Sequence, residues 1–237
     1  MTGTQGKKIR GMMLLIIPGM ILAIIGDYCM GIEPADSTAI SGMISSGWLT
    51  ISDWRIAVSN IGGMIGTALY TIAALAFIRY LLCKLSQCND NKGRLSLKTY
   101  IVGLIWGIMV FMYFHLACGT LIHNFDVIYD AAGGSMELAV QMWNRSYSVQ
   151  FVTYWVSFIL LGIASTGGWI AVVLNGVLPL KKTWALAAPL LIACAGFLLE
   201  WVLPLPFNGL SSGFESFGWI VMFLGGRKAI RNEVWAA

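Results

Sequence analysis

Apolar residues run along this chain in six long stretches, separated by short polar or charged breaks, with no alternation of polar and apolar positions. The stretches cover about residues 11–32, 56–83, 99–124, 150–178, 184–203 and 207–226. A helix needs about 20 apolar residues to cross the hydrocarbon core of a bilayer. Backbone groups in lipid find no water, so a spanning segment is a helix or part of a closed barrel. A barrel would show period-two segments of about ten residues, and none is visible. The pattern predicts an all-α integral membrane protein, a bundle of six transmembrane helices forming a single polytopic domain over residues 1–237.

Composition agrees with that pattern. Hydrophobic residues make up 58% of the chain and charged ones only 11%, against about 25% charged in a soluble domain. Soluble globular and disordered classes are excluded on this ground. The first stretch follows Lys7, Lys8 and Arg10 and precedes small residues at Ser37 and Ala39, as a signal peptide would. Its apolar run is longer than a usual signal core, which predicts a retained helix.

Charge sets the expected orientation. With the N-terminus in the cytoplasm, the inner segments hold Lys7, Lys8, Arg10, Arg79, Lys84, Lys92, Arg94, Lys98, Lys181, Lys182, Arg227, Lys228 and Arg231. Only Arg55 and Arg145 remain outside, so 13 of the 15 basic residues lie within. Such a bias follows the positive-inside rule, and an odd number of spans would break it. Both termini are therefore expected in the cytoplasm, with the plasma membrane as the location. Trp48, Trp54, Trp143 and Trp184 fall near span ends, where indole rings prefer the headgroup level. No basic tract is interleaved with aromatics, so membrane lipids rather than nucleic acid are the expected partners.

Two outer connections are long, residues 33–55 and 125–149. In the second, Met136, Leu138, Ala139, Met142 and Trp143 are spaced like a short interfacial helix, and Asn144-Arg145-Ser146 matches a glycosylation acceptor. Small residues recur at four-residue spacing: Gly62 and Gly66, Gly103 and Gly107, Ala164 and Gly168, Gly209 and Gly213. Such pairs let helices approach closely, within one chain or across a homodimer. The five cysteines have no metal-binding spacing. The spacing leaves open a bridge between Cys29 and Cys118, which fall near one membrane face.

Ionisable residues inside spans carry the functional signal, since each costs roughly 2.5–3.5 kcal/mol at a helix centre. They are Asp27, His115, Glu200 and Glu215. Asp27, His115 and Glu200 each follow the start of an ascending span by a rise of ~24 Å. Glu215 lies ~12 Å down the descending last span. The first three fall in the outer third of the core and Glu215 joins that layer to within about a turn, which predicts an outward-facing polar cavity. Asn208, Ser211, Ser212 and Glu215 share one stripe at helical spacing, as do Asn60, Gly63, Thr67 and Thr71. His115, Gly119 and His123 step by four, while Cys118, Tyr154 and Ser157 add polar groups at the same level. Trp201, Trp219, Phe114 and Met222 would line the same face and suit a lipophilic or amphiphilic small molecule.

Two carboxylates and an imidazole can act as a general acid and a general base. The reading is thus an enzyme of isomerase, cyclase or hydrolase type acting on a lipid-like substrate, with Asp27, His115, Glu200 and Glu215 as catalytic groups. Asn60, Thr67, Cys118, Tyr154, Trp201, Asn208, Ser211, Ser212 and Trp219 would bind the substrate. A small proton-coupled transporter and a non-catalytic ligand-binding or sensor protein are the alternatives. No cofactor or metal is expected: the chain has no HExxH motif and only two His. A retinal protein is excluded by the lack of a Schiff-base lysine in the last span. The three-histidine membrane hydrolases are excluded because the chain has only two His.

Overall fold

The computed structural model describes residues 3–41, 44–203 and 205–236. Gly42 and Met43, part of the first long connection, lie outside the described residues. Four helices are long and apolar enough to cross a membrane: α1 (Gly3–Gly31), α2 (Asp53–Gln87), α3 (Asn91–Ala131) and α4 (Met136–Leu174). The stretches expected at 184–203 and 207–226 form shorter helices. α5 (Pro189–Val202) has 14 residues, about 21 Å of rise. It starts at Pro189 because proline lacks an N–H and suits the first turn of a helix. α6 (Phe214–Ala236) stops being apolar at Gly226, where Arg227 follows.

Other helices run past the apolar stretches. α3 begins at Asn91 because Asp90 caps it, its Oδ2 accepting from the Gly93 N–H at 2.7 Å. It continues for 41 residues, about 62 Å, twice the ~30 Å of a hydrocarbon core. The segment expected as a long connection at 125–149 is instead helical almost throughout. Only a turn at 132–135 separates α3 from α4, with Gly133 and Gly134 at φ 63° and 78° to reverse the chain. The anticipated interfacial helix is the first turns of α4. α3 and α4 thus form a hairpin, and its turn marks the hairpin end. The opposite, basic end joins Lys84 to Glu233 at 2.5 Å, and there the Arg227 side chain donates to the Arg10 carbonyl.

Small residues set the helix spacing. A methyl group at Gly66 of α2 would fall 2.6 Å from the Gly19 carbonyl oxygen of α1. One at Gly103 of α3 would meet the α4 backbone at Ser165, inside a π-helical turn over Gly162–Gly167. The four-residue pairs therefore serve close packing inside the chain. Cys29 and Cys118 are both free thiols.

Two apolar cores result. The larger, toward the basic end, centres on the fully buried Tyr70, Phe77, Tyr100, Trp169, Trp219 and Phe223. The smaller, at the hairpin end, packs Ile44 and Trp48 from the first connection against Phe125 and Trp143, with Trp48 and Phe125 ring centroids 5.9 Å apart. That connection holds β1 (Glu33–Pro34), β2 (Ala39–Ser41) and β3 (Ile44–Ser45). β1 pairs antiparallel with β4 (Phe207–Asn208), which ties the α1–α2 connection to the α5–α6 turn. Arg55 on α2 closes the end of α1, donating to the carbonyls of Cys29 at 2.7 Å and Ile32 at 2.5 Å.

Candidate functional site

A cavity of about 430 Å³ lies between the two cores. Its polar wall brings together Asp27 from α1, His115 and Cys118 from α3, Tyr154 from α4, and Glu215 and Ser216 from α6. Ser211 and Ser212, on the turn before α6, complete that wall. Its remaining wall is apolar and largely aromatic, with Phe111, Phe114, Trp155, Phe158 and Phe197. Trp48 and Met30 line the hairpin-end side.

Asp27 is the best-held carboxylate of the wall. The Ser216 hydroxyl donates to its Oδ2 at 2.8 Å. His115 Nδ1 stands 3.9 Å from Asp27 Oδ1, within ion-pair reach but beyond a hydrogen bond. His115 can sit there because the facing residue of α2 is Gly63, whose missing side chain leaves room for the imidazole. Glu215 Oε1 accepts from Trp219 Nε1 at 3.4 Å. The Cys118 thiol donates to the Tyr154 hydroxyl at 3.4 Å, and Tyr154 in turn lies against Phe114 with ring centroids 4.1 Å apart.

Seven of the expected residues therefore share one cavity: Asp27, His115, Glu215, Cys118, Tyr154, Ser211 and Ser212. Six do not line it. Glu200 turns away to accept the backbone N–H groups of Gly209 and Ser211, holding the α5–α6 turn. Trp201, beside it, is 86% exposed on the outer face of α5. Asn208 belongs to β4 and donates to the carbonyls of Pro34 and Ser37 at 3.4 Å. Helical spacing does not apply to Asn208, because α6 starts only at Phe214. Asn60 packs under Gly119, between α2 and α3. Thr67 turns its hydroxyl back onto the Gly63 carbonyl at 2.7 Å. Trp219 is fully buried in the larger core and reaches the site through its indole N–H to Glu215. Met222 is buried in the same core, and His123 pairs with Asp53 at 3.2 Å on the exposed hairpin.

Several wall residues carry no sequence signal of their own. Ser216 follows Glu215 directly and so sits about 100° around the helix from it, off the stripe of 208, 211, 212 and 215. Trp48 arrives from a connection, and Trp155, Phe158 and Phe197 look like ordinary lipid-facing aromatics until their helices are placed.

The cavity has a side opening. α5 packs on α6 and meets α4 chiefly at the π-helical turn, where the Leu190 N–H donates to Thr166 Oγ1 at 3.2 Å. Toward the hairpin end, Trp155 and Phe158 of α4 face Cys194 and Phe197 of α5 across the cavity. Phe197 is 62% exposed, so this flank is uncovered. A π-turn at the point where two helices part is a common device at functional sites. Among the described residues, no group of three or more His, Cys, Asp or Glu is arranged to hold a metal ion.

A family model described as "Family of unknown function (DUF6796)" matches residues 1–233. The chain belongs to that family. The match spans all the helices that build the cavity. Comparison with curated proteins and with solved structures gives no match.

Proposed function

We propose that this chain is a six-span membrane protein with both termini in the cytoplasm, whose outward cavity binds an amphiphile and performs acid–base chemistry on it. The gathering of 13 of 15 basic residues at one end of the pattern supports this topology. α5 and α6 are short for a full span, but the turns at Lys182–Leu186 and Leu210–Gly213 lengthen both. The plasma membrane is the proposed location.

One observation carries the chemistry: Asp27, His115 and Glu215, from three different helices, open onto one cavity whose other walls are aromatic. Desolvated ionisable groups in a membrane are costly and persist where they are paired or used. An amphiphile can enter sideways between α4 and α5, its apolar part against Phe114, Trp155, Phe158 and Phe197. One carboxyl then delivers a proton to the substrate while His115 or the second carboxylate removes another. The two transfers leave the number of protons on the protein unchanged, and passage of the proton from the base back to the acid resets the pair for the next turnover of an isomerase or cyclase. The packed layer of Tyr70, Trp219 and Phe223 below the site favours this reading over a proton-coupled transporter, which needs a path to the other side.

The test is isotope exchange. Incubated in D₂O with total membrane lipid extract, the purified protein is expected to retain an amphiphile and place deuterium on one of its carbons. Glu215→Gln and Asp27→Asn are expected to retain the amphiphile and lose the exchange. Retention without exchange in the unaltered protein identifies a binding protein instead. Full retention and exchange in both variants disproves the site. Topology is read separately: Cys88 is expected to react with an impermeant maleimide only from the cytoplasmic side.

A further inference from the structure

Three arginines meet where α1 and α6 come together at the basic end. Arg10 precedes the apolar run that starts at Gly11, and Arg227 follows the one that ends at Gly226. The Arg227 Nε donates to the Arg10 carbonyl at 2.8 Å, which holds the two helices at the same level. Arg231 lies one turn further along the same face of α6. Burial, and then the nearby charges of Arg10 and Arg231, hold the Arg227 guanidinium below its usual range. The Arg10 Nε is buried without a hydrogen-bond partner.

Such a cluster is unfavourable by itself. Like charges four residues apart on a helix repel, and a buried N–H without an acceptor bears its full desolvation cost. The acidic residues at this end are engaged elsewhere: Asp90 caps α3, and Glu233 pairs with Lys84. Among the described residues, no carboxylate forms an ion pair with any of the three arginines. What the cluster lacks is an anion with several acceptor oxygens.

We propose that Arg10, Arg227 and Arg231 form a phosphate-binding site. The planar fork of a guanidinium matches two phosphate oxygens at once, and a phosphate between three such forks would relieve their repulsion. The site lies where two apolar stretches end, the level at which the phosphates of a phospholipid leaflet stand. A headgroup phosphate and a free phosphate share this chemistry. The inference uses the topology proposed above and is independent of the outward cavity; with the opposite orientation the site stands and only its leaflet changes.

The experiment uses delipidated protein in dodecyl maltoside. Phosphatidylglycerol and phosphatidylcholine are titrated in turn and counted by native mass spectrometry. In parallel, thermal unfolding is followed with inorganic phosphate against chloride at matched ionic strength. The expected result is one tightly retained phosphatidylglycerol, weakened about tenfold in Arg231→Gln and in Arg10→Gln. The doubly substituted Lys7→Gln/Lys8→Gln protein, which removes more charge from the same end, is expected to retain it. Arg231 is exposed, so its variant tests the site without the Arg227–Arg10 bond. Stabilisation by inorganic phosphate that Arg231→Gln abolishes, without a phosphatidylglycerol preference, assigns the site to free phosphate. The proposal is overturned if the unaltered protein prefers neither ligand, if both arginine variants bind as it does, or if the lysine variant loses as much.

Discussion

Gly63 of α2 sits directly behind the imidazole of His115 on α3, so closely that a methyl group at Gly63 would fall 2.2 Å from His115 Cγ. The ring of the only histidine in the cavity wall is thus positioned by the absence of a side chain on the neighbouring helix. Gly63→Ala should displace His115 toward the cavity or spread α2 from α3. The expected cost is about 1–3 kcal/mol, the usual range for overpacking a core, together with reduced amphiphile retention. Thermal unfolding in detergent measures it, with Gly167→Ala, where an added methyl meets no other helix within 4 Å and helix propensity favours Ala by about 0.4–1 kcal/mol, as the comparison.

Ser216 is the hydrogen-bond donor that holds Asp27. Ser216→Ala should cost about 1 kcal/mol of stability for the lost bond and leave the fold intact. If Asp27 acts as an acid or base, the deuterium exchange should fall while amphiphile retention stays. Equal exchange in Ser216→Ala and the unaltered protein would remove Asp27 from the chemistry.

Glu200 and Glu215 occupy similar depths in the sequence but have different work. Glu200 accepts two backbone N–H groups of the α5–α6 turn, and such charge-assisted bonds are worth about 1.5–3 kcal/mol. Glu200→Gln should lower the unfolding temperature and spare isotope exchange, whereas Glu215→Gln should do the reverse. Side-by-side melting curves and exchange assays separate the two roles.

The flank between α4 and α5 can be closed by bulk. Cys194 faces the cavity from α5 and is exposed, so Cys194→Trp should fold and should block lateral access. Amphiphile retention is expected to fall at least about tenfold, the effect of roughly 1.4 kcal/mol on binding. Unchanged retention would place the access route elsewhere.

Glu33 offers a pH test outside the spans. Burial raises its carboxyl above the ordinary range, against the Ser45 hydroxyl and the charge of Arg55, which lower it. A carboxyl raised on folding destabilises the folded state only when charged. The cost is absent below the ordinary carboxylate range and grows as the pH rises through the folded-state value. Glu33→Gln should therefore flatten the loss of unfolding temperature over that rise, read from melts at stepped pH.

Part of the site is legible in the residue order. Counting residues along each span placed Asp27, His115 and Glu215 at one depth, and depth along a helix is a matter of rise per residue. Rotation about the helix axis is not. Glu200 has the same depth, yet its helix turns it to the α5–α6 turn instead of the cavity. A helical stripe through Asn208 needs a helix there, and α6 starts only at Phe214. Ser216 and the aromatics of the wall were invisible because their neighbours across the cavity come from other helices.

Residue order alone determined that the chain has membrane-length apolar helices and that its basic residues cluster in the segments between them, because hydropathy and charge are properties of a local stretch. Which acids meet, which one merely holds a turn, and where the bundle opens were decided by packing. Glycine contacts such as Gly63 with His115 and Gly66 with Gly19 fix how far and at what angle the helices approach, and no single stretch contains that information.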